Sequence, residues 1–180
     1  GGVVSTVKDL LTYARFHMGN GRSPSGNKII KRKTLEAMRK KQVNAGGRGD
    51  MGITWFIRYA DDLTVYAHGG ATHGQQAYFF YIPEKDFALA ILTNSDDGGI
   101  ITAQTFGWAL DLYFGIKLKS PKPLETPQEL KEFIGRYQIG TECFDIKVKG
   151  KQLVYHHIPL GGFPTPDTPP GPAMPPMRFV

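Results

Sequence analysis

One short segment holds the side chains and glycines best suited to chemistry. It reads Tyr66-Ala-His-Gly-Gly-Ala-Thr-His-Gly74 and lies between two predicted strands. Its glycines allow a ligand to approach the backbone closely, and free N–H groups at a strand edge can stabilise an oxyanion. His68 stands where a predicted strand ends, and from there an imidazole can donate to a substrate carboxylate or take part in proton transfer. The alternative is a glycine-rich hairpin loop that carries an incidental histidine.

Metal binding by His68 and His73 is a further alternative for this segment. It contains no Asp, Glu or Cys, and the spacing of its histidines fits neither a helical pair nor a zinc knuckle. His156 and His157 are adjacent on a predicted strand, so their side chains point to opposite faces. We therefore expect no metal site and no cofactor.

Helices are predicted on both sides of the strand region. Thr6 and Asp9 fit a capping box, and apolar residues at helical spacing continue from there to Met18. A short helix is predicted over Thr34–Lys41, and an amphipathic helix over Ile100–Phe114.

The chain between these helices has the composition of strands. It is rich in β-branched and aromatic residues and predicts two hairpins, Ile53–Tyr59 with Leu63–Ala67 and Gln76–Ile82 with Phe87–Thr93. Because Ala88–Leu92 is almost wholly apolar, we expect that strand to lie centrally in the sheet, with both faces covered. The predicted fold class is α+β, a mainly antiparallel sheet flanked by helices.

A second, smaller domain is predicted beyond a proline-rich linker at residues 117–127. Leu130–Tyr137, Phe144–Val148 and Gln152–His156 suggest the opening of a small β-domain. Residues 159–176 then hold 8 of the 13 prolines, which is typical of extended polyproline or loop structure. The predicted second domain therefore looks truncated.

The positive charge is concentrated in one part of the chain. Of the net charge of +6, residues 1–50 contribute +8, from 11 lysines and arginines against 3 acidic residues. The excess peaks over Lys28–Lys41, which could bind nucleic acid or an anionic surface. Since no aromatic residues are interleaved there as stacking platforms, we favour a solvated helix face and do not expect nucleic acid as a partner.

The composition gives little support for a membrane protein or for a protein stabilised by disulfides. No apolar run approaches the roughly 18 residues of a membrane span, and the first residues do not resemble a signal peptide. The single cysteine, Cys143, excludes an internal disulfide and a cysteine zinc cluster. The sequence alone does not assign a compartment.

Five motifs together resemble those of serine β-lactamase-like hydrolases, a group that includes class C β-lactamases, penicillin-binding DD-peptidases, D-aminopeptidases and esterases. They occur in the family's order and spacing within residues 1–115: Gly1–Thr6 followed by Asp9-Leu10, Leu35–Met38, Gly52–Trp55, His68–Gly70 and Leu92–Asp96. The resemblance implies acyl transfer to a serine from an amide or ester, such as a β-lactam, a D-amino acid peptide or a small ester. For such an enzyme the periplasm or the cell exterior would be a fitting compartment.

The resemblance also implies roles for individual residues. His68, Gly69 and Gly70 look like the family's third active-site motif, Lys-Thr-Gly or His-x-Gly. His68 would contact the substrate carboxylate or the catalytic proton network, and Gly70 would leave room for substrate beside the strand. The N–H group of Ala71 would supply one donor of the oxyanion hole.

Two motifs of the family have no clear counterpart. Tyr-x-Asn is absent, and Ser-x-x-Lys occurs only at Ser5–Lys8 and Ser25–Lys28. The second lies in a Gly/Asn loop, and the first matches a later structural helix of the family, so we interpret Ser5 or Thr6 as a helix cap. We therefore expect a chain that lacks its nucleophile and is inactive alone.

The predicted organisation follows from the order of these motifs. Residues 1–116 resemble the C-terminal part of the hydrolase domain, 117–127 the linker, and 128–180 the start of a lipocalin-like domain, with Leu130–Tyr137 as its entry motif. Both pieces would leave apolar faces uncovered, so we expect a second copy or a missing N-terminal segment to cover them. A non-catalytic module that binds a carboxylate ligand at His68–Gly74 remains an alternative, as does anion binding through Lys28–Lys41.

Overall fold

The computed structural model describes residues 3–46, 49–72, 74–95, 97–119, 128–139, 142–162, 165–173 and 175–178. The chain divides into two compact units, Gly1–Leu118 and Lys119–Val180. Most of the predicted linker, residues 120–127, lies outside the described ranges.

An antiparallel sheet with helices forms the first unit, which confirms the predicted α+β class. In the described part of this unit the sheet has six strands in the order β1-β2-β3-β4-β5-β6. The helices are α1 (Val7–Met18), α2 (Arg32–Arg39) and α3 (Gly98–Phe114). The strands are β1 (Val43–Asn44), β2 (Asp50–Met51), β3 (Phe56–Ala60), β4 (Leu63–Thr72), β5 (Gln75–Ile82) and β6 (Phe87–Thr93). Both predicted hairpins are present, as β3 with β4 and β5 with β6.

Helix α1 begins as the capping box predicts. The Thr6 hydroxyl oxygen accepts a hydrogen bond from the Asp9 N–H at 3.2 Å, and the hydroxyl donates to the Asp9 carboxylate at 2.9 Å. The pair satisfies one of the unpaired donors at the helix start and confirms Thr6 as the cap.

Alternating strand residues divide the core between the two faces of the sheet. On the face covered by α3, strand side chains such as Val65 and Phe80 pack with Phe106 and Leu110 of the helix. On the other face, the aromatic residues Trp55, Phe79 and Tyr81 pack with Ala14 of α1. Each hairpin therefore contributes to both layers, as a period of two requires.

The central placement expected for Ala88–Leu92 is wrong. Strand β6 pairs with β5 on one side and is the last strand of the described sheet. Its apolar sequence has a different cause, since α1 and α3 contact it from the two faces. A continuous apolar run indicates that both faces are covered and does not specify the number of hydrogen-bonded neighbours.

Helix α3 is apolar nearly all round. Its inner side carries buried residues such as Phe106 and Leu110, while Ile101, Trp108 and Leu112 on the outer side are more than half exposed. A helix that is apolar on every side is ordinarily buried on every side.

The second unit is a small sheet. Its described strands are β7 (Gly135–Ile139), β8 (Glu142–Lys149), β9 (Gln152–Ile158) and β10 (Met177–Arg178), in the order β10-β9-β8-β7. The buried carboxylate of Asp145 on β8 pairs with Arg136 and Lys147, both at 2.8 Å. Cys143 on the same strand is also buried. The likeness of this unit to a lipocalin remains a prediction.

Candidate functional site

Strand β4 continues through most of the segment that the sequence marks for chemistry. It extends to Thr72 and pairs with β5 throughout, from Tyr66 opposite Tyr81 to Thr72 opposite Gln75. His68–Thr72 are strand residues, so the hairpin-loop alternative is wrong for them, and so is the expectation that the strand ends at His68. Of the predicted metal-ligand pair His68 and His73, the second lies outside the described residues.

The far half of β4 has an open edge. Pairing with β3 ends where Phe56 lies opposite Ala67, and in the described part of the chain no strand continues it beside His68–Thr72. In an antiparallel strand, alternate residues direct their N–H and C=O groups to opposite sides. Part of the backbone of this segment therefore presents unpaired donors at the edge, which is the arrangement that can hold an oxyanion.

His68 lies at the beginning of this open edge. Its side chain is exposed, and its ring centre is 5.7 Å from that of Phe56 at an interplanar angle of 35°. Within the described residues the imidazole makes no hydrogen bond or ion pair. Both ring nitrogens are thus free to meet a ligand or transfer a proton.

The two glycines after His68 differ in their surroundings. A Cβ atom at Gly69 would lie 3.2 Å from the carbonyl oxygen of Ala77 and 3.4 Å from the Tyr78 ring, so this glycine fits a close packing contact. A Cβ atom at Gly70 would meet no atom within 4 Å. The space beside Gly70 is open, and Ala71 next to it is exposed and lies opposite Gln76.

Neither Ser-x-x-Lys sequence forms a serine–lysine pair. The hydroxyl of Ser5 donates to the carbonyl of Thr6 at 3.5 Å, at the start of α1. The hydroxyl of Ser25 interacts with that of Ser23 at 2.8 Å and accepts from the Asn27 amide at 3.4 Å. In the structure as described, both serines have local loop or cap partners in place of an activating lysine.

The described residues show neither a metal-binding cluster nor a membrane-spanning helix. Among them, no three His, Cys, Asp or Glu side chains come close enough to hold a metal ion. Their helices include none with the length and apolar character needed to cross a membrane.

The basic stretch Lys28–Lys41 is partly neutralised. Lys41 pairs with Asp50 at 2.8 Å, and Arg32 pairs with Glu36 at 2.9 Å. Arg39 instead lies over the ring of Tyr66, with 5.7 Å between the guanidinium carbon and the ring centre. Sequence reasoning missed this contact, because nothing local links α2 to β4.

Comparisons with known proteins identify the family of the first unit. The family model "Beta-lactamase" matches residues 1–105. Penicillin-binding protein 4 of Amycolatopsis lactamdurans is 28% identical over 108 residues, which are 57% of this chain and 28% of that protein.

Solved structures show the same fold. A crystal structure of SurE with D-Leu aligns with a TM-score of 0.56 at 20% identity, over 86% of this chain and 38% of that one. The octameric penicillin-binding protein homologue from Pyrococcus abyssi aligns with a TM-score of 0.54 at 24% identity, over 86% and 35%. The chain thus spans between a quarter and two fifths of the length of these relatives. Since the family model covers more than half of its residues, the chain belongs to the Beta-lactamase family.

Proposed function

We propose that the first unit supplies the substrate-binding strand of a serine hydrolase site. The observation that carries the proposal is the open edge of β4, where His68 and the space beside Gly70 lie together. The reaction of such a site is acyl transfer, in which a serine hydroxyl attacks an amide or ester carbonyl and water later releases the acyl group. Suitable substrates are a β-lactam, a D-amino acid peptide or a small ester.

Three residues have separate roles in this proposal. His68 binds the substrate carboxylate or takes part in proton transfer, since its nitrogens are uncommitted among the described residues. Gly70 leaves room for the substrate beside the strand. The N–H group of Ala71 stabilises the oxyanion, a role that follows from the family resemblance together with its place on the open edge.

The proposal includes inactivity of the 180-residue chain on its own. Its sequence has no Tyr-x-Asn, and the hydroxyl groups of its two Ser-x-x-Lys serines interact with local partners. We expect no hydrolysis of nitrocefin and no burst with p-nitrophenyl acetate. A burst that disappears in Ser5→Ala would contradict this expectation and would make Ser5 the nucleophile.

Ligand binding tests the strand edge separately from turnover. Titration of the isotopically labelled chain with a peptide ending in D-Ala-D-Ala, or with ampicillin, is expected to shift the backbone amide signals of residues 68–71. His68→Ala should weaken binding about 10-fold, the effect of one charge-assisted hydrogen bond. His156→Ala, a histidine of the second unit, is the matched control and should leave binding unchanged. Shifts elsewhere, or equal affinity in His68→Ala, would remove the proposed site.

The same titration addresses the alternative of a non-catalytic binding module. Binding of the ligand at the β4 edge without hydrolysis fits either a non-catalytic binding module or a strand that needs further catalytic residues. Hydrolysis after mixing with a protein segment that carries Ser-x-x-Lys and Tyr-x-Asn would favour the second.

Self-association is also part of the proposal. Strand β6 ends the described sheet with an apolar edge, and α3 beside it exposes Trp108 and Leu112. Unprotected edges and apolar faces favour contact with another chain. The Pyrococcus abyssi homologue is described as octameric, which is consistent with assembly in this fold.

A further inference from the structure

A cavity of about 480 Å³ lies in the first unit, and its lining includes none of the residues 68–72 of β4. It is formed by α2, the end of α1, β4 and the turn between β5 and β6. Its walls include Met18, Arg39, Lys40, Tyr66, Pro83 and Glu84. Its volume falls in the ordinary range of small-molecule sites.

One wall of this cavity carries an uncommitted cation. Arg39 is partly buried and lies over the Tyr66 ring, but within the described residues it forms neither an ion pair nor a hydrogen bond. Its guanidinium therefore has five N–H donors without a protein acceptor. Arg32 also lines the cavity, but Glu36 already holds it at 2.9 Å.

The lining also includes an anion, the exposed side chain of Glu84. Glu84 lies in the turn Pro83–Lys85, and among the described residues its carboxylate forms no ion pair, with Arg39 or with any other cation. Tyr66 lies within electrostatic reach of both charges. Burial raises the pKa of its phenol, Glu84 raises it further, and Arg39 lowers it.

Two opposite charges that line one cavity without pairing are complementary to a ligand that carries both charges. Because Arg32 and Glu36 pair with each other, the lining charges without an ion pair among the described residues are Arg39, Lys40 and Glu84, which offer partners to a carboxylate and to an ammonium group. Met18 and the carbon atoms of Tyr66 and Pro83 add apolar surface.

We propose that this cavity binds a small zwitterion with an apolar side chain, its carboxylate on Arg39 and its ammonium group on Glu84. A free amino acid and a short peptide share this chemistry. None of residues 68–71, which carry the site proposed for acyl transfer, lines this cavity, so the two proposals are tested by different ligands and variants.

Calorimetric titration of the whole 180-residue chain with leucine and with leucyl-leucine tests the proposal. Binding of either ligand supports the proposal. The ligand that binds more tightly shows whether the site takes a free amino acid or a short peptide. Leucinamide lacks the carboxylate and N-acetylleucine lacks the ammonium group, so each is expected to bind at least about 10-fold more weakly than the zwitterion.

Variants assign the binding to the two charges. Arg39→Gln and Glu84→Gln should each weaken leucine or leucyl-leucine binding about 10-fold or more. Lys33→Gln, on the same helix but outside the cavity lining, should bind as the unaltered chain does. Circular dichroism spectra of each variant establish that it is folded.

Three results would overturn the proposal. They are the absence of heat with both zwitterions at millimolar concentration, equal affinity for the blocked analogues, and unchanged affinity in both Arg39→Gln and Glu84→Gln. Tighter binding of N-acetylleucine than of leucine would likewise overturn it, since the cavity would then be an anion site.

Discussion

His17 is a neutral, buried histidine in an aromatic cluster. Its ring centre lies 4.4 Å from that of Tyr13 and 5.1 Å from that of Trp55, and its side chain is almost fully buried. Its Nδ1 atom has no hydrogen-bond partner among the described residues. Burial, with a smaller contribution from the Arg39 charge, lowers the pKa of His17 to about 4.

This shift predicts a pH dependence of stability. An unfolded histidine has a pKa near 6.5, so the unfolded chain takes up the proton first as the pH falls. The stability contributed by neutral His17 is complete above pH 6.5 and is lost progressively down to about pH 4, by at most ~3 kcal/mol. Urea unfolding followed by tryptophan fluorescence between pH 7.5 and 4 measures the loss.

Substitution of His17 tests whether this residue causes the pH dependence of stability. In His17→Phe the free energy of unfolding should change much less over this pH range, because the titrating group is gone. His156→Gln, in the second unit, should keep the pH dependence of the unaltered chain. An equal slope in His17→Phe and the unaltered chain would refute the assignment.

Gly70 and Gly98 differ in the space around them, and this difference gives a second prediction for single residues. Gly70→Ala adds a methyl group in open space, so the free energy of unfolding should change by less than ~1 kcal/mol. Any loss of ligand binding then reflects contact with the ligand. Gly98→Ala would place its methyl group against the Thr93 side chain and should destabilise the fold by ~1–3 kcal/mol. Thermal unfolding of the two variants checks both values.

At the scale of elements, the sequence predicted what local chemistry controls. The Thr6–Asp9 cap specifies the start of α1, and alternating residues with turn signals specify both hairpins. The edge position of β6 was not predictable, because a fully apolar strand reports covered faces and says nothing of its neighbours. The Arg39–Tyr66 contact was missed for a related reason, since it joins elements that are distant along the chain.

Strand β6 carries the prediction that belongs to this scale. It has no proline or lysine between Phe87 and Thr93 to protect the edge with which no described strand pairs. We expect the chain to sediment with a concentration-dependent mass above that of one copy. Leu92→Lys places a charge on the partly exposed strand and should weaken association about 10-fold, through the cost of burying an unpaired charge at an interface.

Ile29→Lys is the matched control for this experiment. Ile29 is 65% exposed in the loop before α2 and lies outside every strand of the sheet, so the substitution should leave sedimentation unchanged. A monomer at all concentrations, or equal effects of the two substitutions, would exclude β6 as the contact.

At the scale of the whole molecule, the two units are expected to lose stability to acid in different ranges. The first depends on neutral His17 and weakens below pH 6.5. The second depends on Asp145, whose pKa is held well below its usual value by hydrogen bonds from Arg136 and Lys147. The contribution of ionised Asp145 is complete above pH 3.8 and is lost only as the pH falls further.

The two units carry different natural reporters. Both tryptophans, Trp55 and Trp108, belong to the first unit, whereas the single thiol, Cys143, is buried in the second. Indole fluorescence therefore follows one unit, and labelling of the thiol by a soluble disulfide reagent follows the other, without any introduced probe. If the units unfold independently, the two signals will give different midpoints in the same urea series; coincident midpoints would show that the chain unfolds as one cooperative system.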